Sequence, residues 1–375
     1  MTGAASRPAR IAVNLLHVVP GDVGGSEEYA VRTLSAYARY GNPDIAVVLY
    51  VLAPFVVAYR PLCEAFDTVV SPLDGVNRAR RILAESTWLA ARTDQVDAIH
   101  HLGGRLPGRS SRPAAVTVHD LQPLLRPENF SRVKRAFMAR SLPRTASQAD
   151  LLVAPSYAVA DKLASRLGVG AERLAVVSVG AERISAGPNL PTNPPTVLYP
   201  AATYPHKNHV VLIEAFARIS DRHSEARLVM TGAPGRSDAE VRDAAAATGL
   251  GERISLTGRI PTAELETLLL GAAVVAFPSA YEGFGIPVLE ALAAGVPVVV
   301  AAGTPAAEMV GDSAPVVDPS DPAAWAEALD LLLSDTGRRE RVARSGLTRI
   351  VGHTWEDSAA RLEDAWRRLL TIGRS

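Results

Sequence analysis

Pro278-Ser279-Ala280-Tyr281-Glu282-Gly283-Phe284-Gly285-Ile286-Pro287-Val288-Leu289-Glu290 is the stretch around which the chain reads. The apolar run before it, Ala272 to Phe277, predicts a buried parallel strand. Ile286 to Ala294, rich in Ala and Leu with Pro287 near its start, predicts a helix. Glu282, Gly283 and Gly285 therefore sit on a strand-to-helix turn, the edge where an open parallel sheet carries its ligands. The two glycines let the backbone present N–H groups to an anion at the helix's positive end. Glu290 falls about one turn into that helix, roughly 6–8 Å from the anion pocket at about 1.5 Å rise per residue. A carboxylate touching a phosphate would repel it. Set a turn back, it can instead accept hydrogen bonds from a ribose diol, and Glu282 at the mouth of the turn can serve the hydroxyls of a second sugar. The arrangement fits a nucleotide diphosphate sugar.

The chain of 375 residues is long enough for two domains, and its apolar share of 48% supplies two cores. Lys plus Arg and Asp plus Glu number 39 each, a balance that argues against general nucleic-acid binding. Cys63 is alone, so no internal disulfide forms and a reducing compartment fits. Met1 to Arg10 is small and polar and lacks the pattern of a signal peptide. The apolar run Ile45 to Tyr59 is broken by Pro54 and is shorter than the ~20 residues of a membrane span. A cytoplasmic protein is expected, with peripheral membrane contact as an option.

Taken in order, Arg10 to Val19 predicts a first strand, Pro20 to Ser26 a glycine-rich loop and Glu27 to Tyr40 a helix. The loop lacks the Gly-x-Gly-x-x-Gly spacing of a dinucleotide site, but Gly24-Gly25 still permits close backbone approach to a phosphate or sugar. Further strands are expected at Ile45–Val51, Asp67–Val70, Asp97–His101, Ala114–Val118, Ala149–Pro155 and Leu174–Val179. Val76 to Thr93 reads as a helix with Arg78, Arg80, Arg81 and Glu85 on its wet side. His100 and His101 point to opposite faces of a strand and so make a poor metal pair; one of them can face the cleft, though a structural role suits them better. Arg126 to Arg144 carries six basic residues against Glu128, with Val133, Phe137 and Met138 as an apolar side. Such a helix suits an anionic membrane, an acidic or lipid-linked acceptor, or plain solvent. Four prolines between Ser185 and Pro195 mark an interdomain linker. From Thr196 onward strand and helix alternate again, which implies a second parallel sheet with right-handed crossovers.

The string Tyr281-Glu282-Gly283-Phe284-Gly285-Ile286-Pro287 followed by Leu289-Glu290-Ala291 resembles the motif of retaining glycosyltransferases of family 4, whose two glutamates are separated by seven residues. The resemblance implies a GT-B fold: two Rossmann-like parallel-sheet α/β domains facing across a cleft. It places the domains at 1–184 and 196–354, the linker at 185–195, and a last helix at 355–375 crossing back to the first domain. It assigns Glu290 to the ribose, Glu282 to the donor sugar, and the amides of Gly283, Phe284, Gly285 and Ile286 to the diphosphate. Gly24-Gly25 matches the family's Gly-Gly turn, and His119, before Asp120 at the end of a strand, matches the histidine that reaches the donor sugar. In Tyr204-Pro205-His206-Lys207-Asn208-His209, Lys207 matches the family's diphosphate lysine. The arginine usually near it is absent, with Ala202 or Thr203 in its place. His206 is then expected to supply part of that contact, with Arg236 as a further cation. The loop resembles a subgroup acting on GDP-mannose in polysaccharide synthesis.

The resemblance implies transfer of a hexose from a nucleotide diphosphate sugar to a saccharide or lipid-linked acceptor. The configuration at the sugar carbon is retained, and neither a cofactor nor a metal is expected. Catalysis is expected from His119, Glu282 and Lys207. Two other readings stay open at this point: an epimerase or phosphorylase on the same fold, and a non-catalytic nucleotide-sugar-binding subunit.

Overall fold

The computed structural model describes residues 7–21, 24–108, 110–182 and 187–372. Asp22 and Val23 of the glycine-rich loop, and Ser185 and Ala186 at the start of the proline-rich stretch, lie outside the described residues. The chain divides into two compact units, Met1–Gly180 with His353–Ser375, and Ala181–Gly352.

The first unit holds a parallel sheet of seven strands: β1 (Ala9–Asn14), β2 (Ile45–Leu52), β3 (Asp67–Ser71), β4 (Ala98–His101), β5 (Ala114–Thr117), β6 (Leu151–Ala154) and β7 (Leu174–Val176). Their order is β3-β2-β1-β4-β5-β6-β7. The second unit holds six parallel strands: β8 (Thr196–Pro200), β9 (Arg227–Thr231), β10 (Ile254–Gly258), β11 (Val274–Phe277), β12 (Val298–Ala301) and β13 (Val316–Val317), in the order β10-β9-β8-β11-β12-β13. Both are Rossmann-like. The central strands are continuous apolar runs because helices cover them, and β6, β11 and β12 are buried at every position.

Helix Trp355–Ile372 belongs to the first unit and lies against helix Gly25–Tyr40. Trp366 is fully buried; its indole N–H donates to His100 Nδ1 at 3.0 Å, and its ring meets Tyr37 edge-on at 4.7 Å. Truncating such a side chain to Ala costs about 3–5 kcal/mol. Arg368 adds hydrogen bonds to the carbonyls of Leu174 at 3.0 Å and Glu172 at 2.9 Å.

Several elements depart from the sequence reading. β1 stops at Asn14, whose side-chain oxygen accepts the Leu16 N–H at 3.0 Å and turns the chain out of the ladder. Leu15, Leu16 and Val18 are buried beyond it, which is why the apolar run outlasts the strand. The helix expected over Val76 to Thr93 is Arg78–Ser86, capped by Asn77 and followed by a short 3-10 turn at Ala90–Arg92. Its phase is also different. Leu83 is exposed while Glu85 is buried and Arg81 is half-buried, because Asn14 and Arg105 bond the Glu85 carboxylate inside. The basic helix begins only at Arg132, capped by Ser131, and runs to Gln148 past Pro143. Val133 and Phe137 lie on its exposed surface while Met138 packs inward, so its apolar residues form no single buried stripe.

The described part of the proline-rich stretch is bound along the second unit rather than hanging as a tether. Asn189 N–H donates to Gly295 and Thr192 N–H to Gly271, both at 3.0 Å. The Asn189 side chain reaches the carbonyls of Leu270 at 3.1 Å and Ala272 at 2.8 Å.

Candidate active site

In the second unit the loops after β8, β9, β11 and β12 leave the carboxyl edge of the sheet side by side. The loop after β11 and the loop after β8 are stitched together. Ala280 N–H donates to the His206 carbonyl at 2.8 Å, and Asn208 Nδ2 donates to the Pro278 carbonyl at 3.1 Å. Tyr199, buried in β8, donates its hydroxyl to the Lys207 carbonyl at 2.7 Å and lies 2.9 Å from the Ser279 hydroxyl. Asn208 is the non-glycine residue with positive φ, 53°, among the described residues. Asparagine tolerates that region better than most side chains. Its side chain also donates to the Pro319 carbonyl at 3.0 Å.

These bonds aim Lys207 at Glu282. Nζ lies 2.5 Å from Oε1, with the two side chains 17% and 14% exposed, and Nζ stands 5.7 Å from the Phe277 ring centroid. The lysine read as a phosphate ligand and the glutamate read as a sugar ligand are thus one ion pair. Gly285, with φ of 105°, precedes helix Ile286–Ala293, and its carbonyl accepts the Val288 N–H at 3.0 Å. That φ disfavours any side chain, and an added Cβ would approach the Ala306 Cβ at 3.3 Å. Phe284 is buried, Gly283 and Ile286 are partly exposed, and Glu290 is half-buried one turn into the helix.

His206 lies parallel to Tyr204, with ring centroids 6.0 Å apart. Burial first, then repulsion from Lys207, lowers its pKa to about 4. It is neutral at pH 7 and offers a hydrogen bond without charge, so it does not replace a missing cation.

In the first unit, Gly24 (φ 71°) caps helix Gly25–Tyr40, and its carbonyl accepts the N–H groups of Glu27 at 3.0 Å and Glu28 at 3.2 Å. A Cβ added to Gly24 or Gly25 would meet nothing within 4 Å, so their backbone borders open space. Glu27 is the anchor the sequence reading missed. Buried, it accepts the Gly21 N–H at 3.1 Å on each oxygen and the Tyr59 hydroxyl at 2.5 Å. A glutamate three residues past the capping position is the signal that could have found it.

His119 follows β5. Its Nε2 lies 2.7 Å from the Leu102 carbonyl, which can only accept, so Nε2 carries the proton and Nδ1 the lone pair. Tyr29 meets it edge-on at 5.2 Å. Burial lowers its pKa to about 4 despite that hydrogen bond. His100 is held by Thr117 at 2.8 Å and by Trp366, and His101 accepts from Asn14 at 3.0 Å. Both are buried and hydrogen-bonded inside the first unit, which gives each a structural role. The sequence reading also overlooked His17. Its ring nitrogens are buried without hydrogen-bond partners, and burial with the charges of neighbouring groups, His119 foremost, lowers its pKa to about 3. Arg81 Nη1 donates to its carbonyl at 2.9 Å, and the Arg105–Glu85 pair lies in the same cluster.

Each half of the chain matches a family model. Residues 23–182 match Glycosyltransferase Family 4, and residues 181–349 match Glycosyl transferases group 1. The D-inositol 3-phosphate glycosyltransferase of Corynebacterium diphtheriae is 25% identical, over 95% of this chain and 94% of its own. The enzyme of the same name from Nocardia farcinica is 28% identical, over 97% and 90%. Among solved structures, sucrose-phosphate synthase from Thermosynechococcus elongatus superposes with a TM-score of 0.76 at 23% identity, over 97% of this chain and 100% of that one. Anabaena HepE in complex with UDP-glucose superposes with a TM-score of 0.73 at 20% identity, over 96% and 99%. Fold, paired family matches and full-length relatives define the class: a GT-B glycosyltransferase. Within that class the chain is of the family 4 type, an enzyme of the hexosyltransferase kind.

Proposed function

We propose that this enzyme transfers a hexose, with retention of configuration, from a nucleotide diphosphate sugar to a saccharide or lipid-linked acceptor. The observation that carries the reading is the Lys207–Glu282 pair on a glycine turn whose helix sets Glu290 one turn back. In this scheme Glu290 receives the ribose hydroxyls. The backbone from Gly283 through Phe284 and Gly285 to Ile286 faces the diphosphate, with His206 donating a neutral hydrogen bond. On donor binding, Lys207 exchanges Glu282 for phosphate oxygens, and Glu282 is released to the sugar hydroxyls. As the sugar–phosphate bond breaks, negative charge grows on the leaving diphosphate, where the Lys207 ammonium stabilises it most. The acceptor hydroxyl bonds to the sugar carbon on the face the diphosphate leaves, and a departing phosphate oxygen takes its proton.

In the first unit the open Gly24-Gly25 backbone is assigned to substrate contact. His119 keeps its Nδ1 lone pair for a sugar hydroxyl, since it is neutral at pH 7. No metal or cofactor takes part in this scheme.

GDP-mannose is the proposed donor on the His206-Lys207-Asn208-His209 loop. HepE was crystallised with UDP-glucose, which makes a uridine donor the alternative. The D-inositol 3-phosphate glycosyltransferases among its relatives favour a phosphorylated polyol as a second acceptor class. Thermal-shift measurements with UDP-, GDP-, ADP- and dTDP-sugars test the donor, because a ligand that binds only the folded state raises its melting temperature. A flat response to all of them refutes the reading, as does conversion of free donor without a new glycosidic bond. A cytoplasmic site of action with peripheral membrane contact through Arg126–Arg144 is proposed on the exposed Val133 and Phe137. No helix of the described residues is long and apolar enough to cross a membrane. Failure to co-sediment with anionic vesicles would refute the membrane contact.

A further inference from the structure

The donor edge of the second sheet carries a charge problem. Lys207 is already matched by Glu282, and the helix that follows the turn carries Glu290 rather than a further cation. A diphosphate brought there meets a site whose charges sum to no more than zero, so another cation is needed to hold it.

Strand order says where that cation can come from. β8 lies between β11 and β9, so the Lys207 loop is flanked by the glutamate turn on one side and by the loop after β9 on the other. The loop after β9 is Gly232-Ala233-Pro234-Gly235-Arg236-Ser237. The next arginine outward, Arg259, follows β10, one strand further away.

The β9 loop is fastened to the Lys207 loop at one residue. Thr203 is buried, and it receives the Gly235 N–H on its hydroxyl at 2.7 Å and the Ser237 N–H on its carbonyl at 2.9 Å. Its own N–H donates to Ala233 at 3.3 Å. The residues on both sides of Arg236 are therefore tied to the same threonine. The approach needs glycine: a Cβ on Gly235 would stand 2.5 Å from the Thr203 carbonyl oxygen. Asp238, the carboxylate nearest in sequence, is bound by Arg242 at 2.8 Å and by the Thr203 hydroxyl at 3.1 Å, which keeps it from Arg236. Among the described residues Arg236 has no carboxylate partner, and its side chain is exposed. Its positive charge reaches His206, where it opposes protonation.

We propose that Arg236 is the second cation of the donor site, gripping the diphosphate of the nucleotide sugar from the side opposite the glutamate turn. This rests on the nucleotide-sugar reading above. Thr203 would then serve the donor site by holding the neighbouring loop that carries the arginine. A guanidinium presents paired N–H donors that match phosphate oxygens, so Arg236 discriminates by phosphate charge rather than by base.

The test is calorimetric titration of wild type, Arg236→Ala and Arg236→Lys with UDP, GDP, ADP and dTDP and with the matching monophosphates, with melting temperature as a folding check. For the diphosphate that wild type binds, Arg236→Ala should weaken affinity by about tenfold to a hundredfold, as expected for a charged hydrogen bond. Its monophosphate should lose less than about twofold, and Arg236→Lys should fall between. Unchanged diphosphate affinity in Arg236→Ala overturns the assignment while leaving the nucleotide-sugar reading intact. Equal losses for diphosphate and monophosphate overturn it too, because Arg236 would then act on the nucleoside or the loop. If wild type binds none of the four diphosphates, the nucleotide-sugar reading itself fails and takes this inference with it.

Discussion

The Lys207–Glu282 pair permits a double-mutant test with Lys207→Met and Glu282→Gln, changes that keep approximate shape and remove charge. At 2.5 Å and an effective dielectric near 20, the gross attraction is about 7 kcal/mol. Desolvation of the two ions offsets much of it, so the pair's net contribution is small. Losing one partner is different, because the other charge is left in place. A fully buried orphan costs about 3–5 kcal/mol. Here the side chains are 17% and 14% exposed and can relax toward water, so about 2 kcal/mol is expected for each single variant. That corresponds to a fall of about 4–8 °C in melting temperature for a unit of this size. The double variant should cost no more than either single one, which gives a coupling energy of about 2 kcal/mol by urea denaturation. Additivity within about 0.5 kcal/mol would show that the pair is not coupled and would refute the exchange of Lys207 between Glu282 and phosphate. The Lys207 variant should also lose turnover severalfold, and wild-type rates would remove it from the site.

Glu290→Ala should weaken donor binding about tenfold by loss of two hydrogen bonds to the ribose, read by calorimetry; unchanged affinity removes the ribose assignment. For His119→Ala, transfer should drop by about tenfold or more at temperatures where the variant remains folded; full activity would leave it a structural residue. Treatment with a chelator should leave the transfer rate unchanged, whereas loss of activity restored by a divalent metal would overturn the metal-free scheme. Acid should destabilise the protein steeply. Burial lowers His17 and His100 to about 3, and His101, His119, His206 and His209 to about 4, against 6.5 in the unfolded chain. Between pH 6.5 and 4 the unfolded chain binds more protons, so stability is intact above 6.5 and falls with pH by up to about 1.4 kcal/mol per unit for each histidine. Tryptophan-fluorescence melts that do not shift between pH 7 and 5 would contradict this.

Much of the fold is legible from periodicity because parallel strands are long apolar runs and their helices alternate with them. Val274 to Phe277 and the Gly-Phe-Gly turn declare a strand, a turn and a helix with no outside help, and the two glutamates are spaced along one element. Element ends were less legible. The ending of β1 depends on the Asn14 side chain bonding its own backbone, and the helix at Arg78 shows the limits of amphipathic phase. There a buried glutamate looks like a solvated one until Asn14 and Arg105 are brought to it from distant segments.

What the sequence by itself determined was the class of site: a glycine turn between strand and helix, two carboxylates at different depths, and a lysine before the next helix. These are local features, set by residue type and spacing over a dozen positions. What only the tertiary structure decided was which charges meet. Lys207 faces Glu282 across 75 residues of chain because β8 and β11 are neighbours in the sheet, and the loop that carries Arg236 borders the Lys207 loop because β9 is the other neighbour. Electrostatic interaction depends on distance in space, and strand order, which no local pattern encodes, sets that distance.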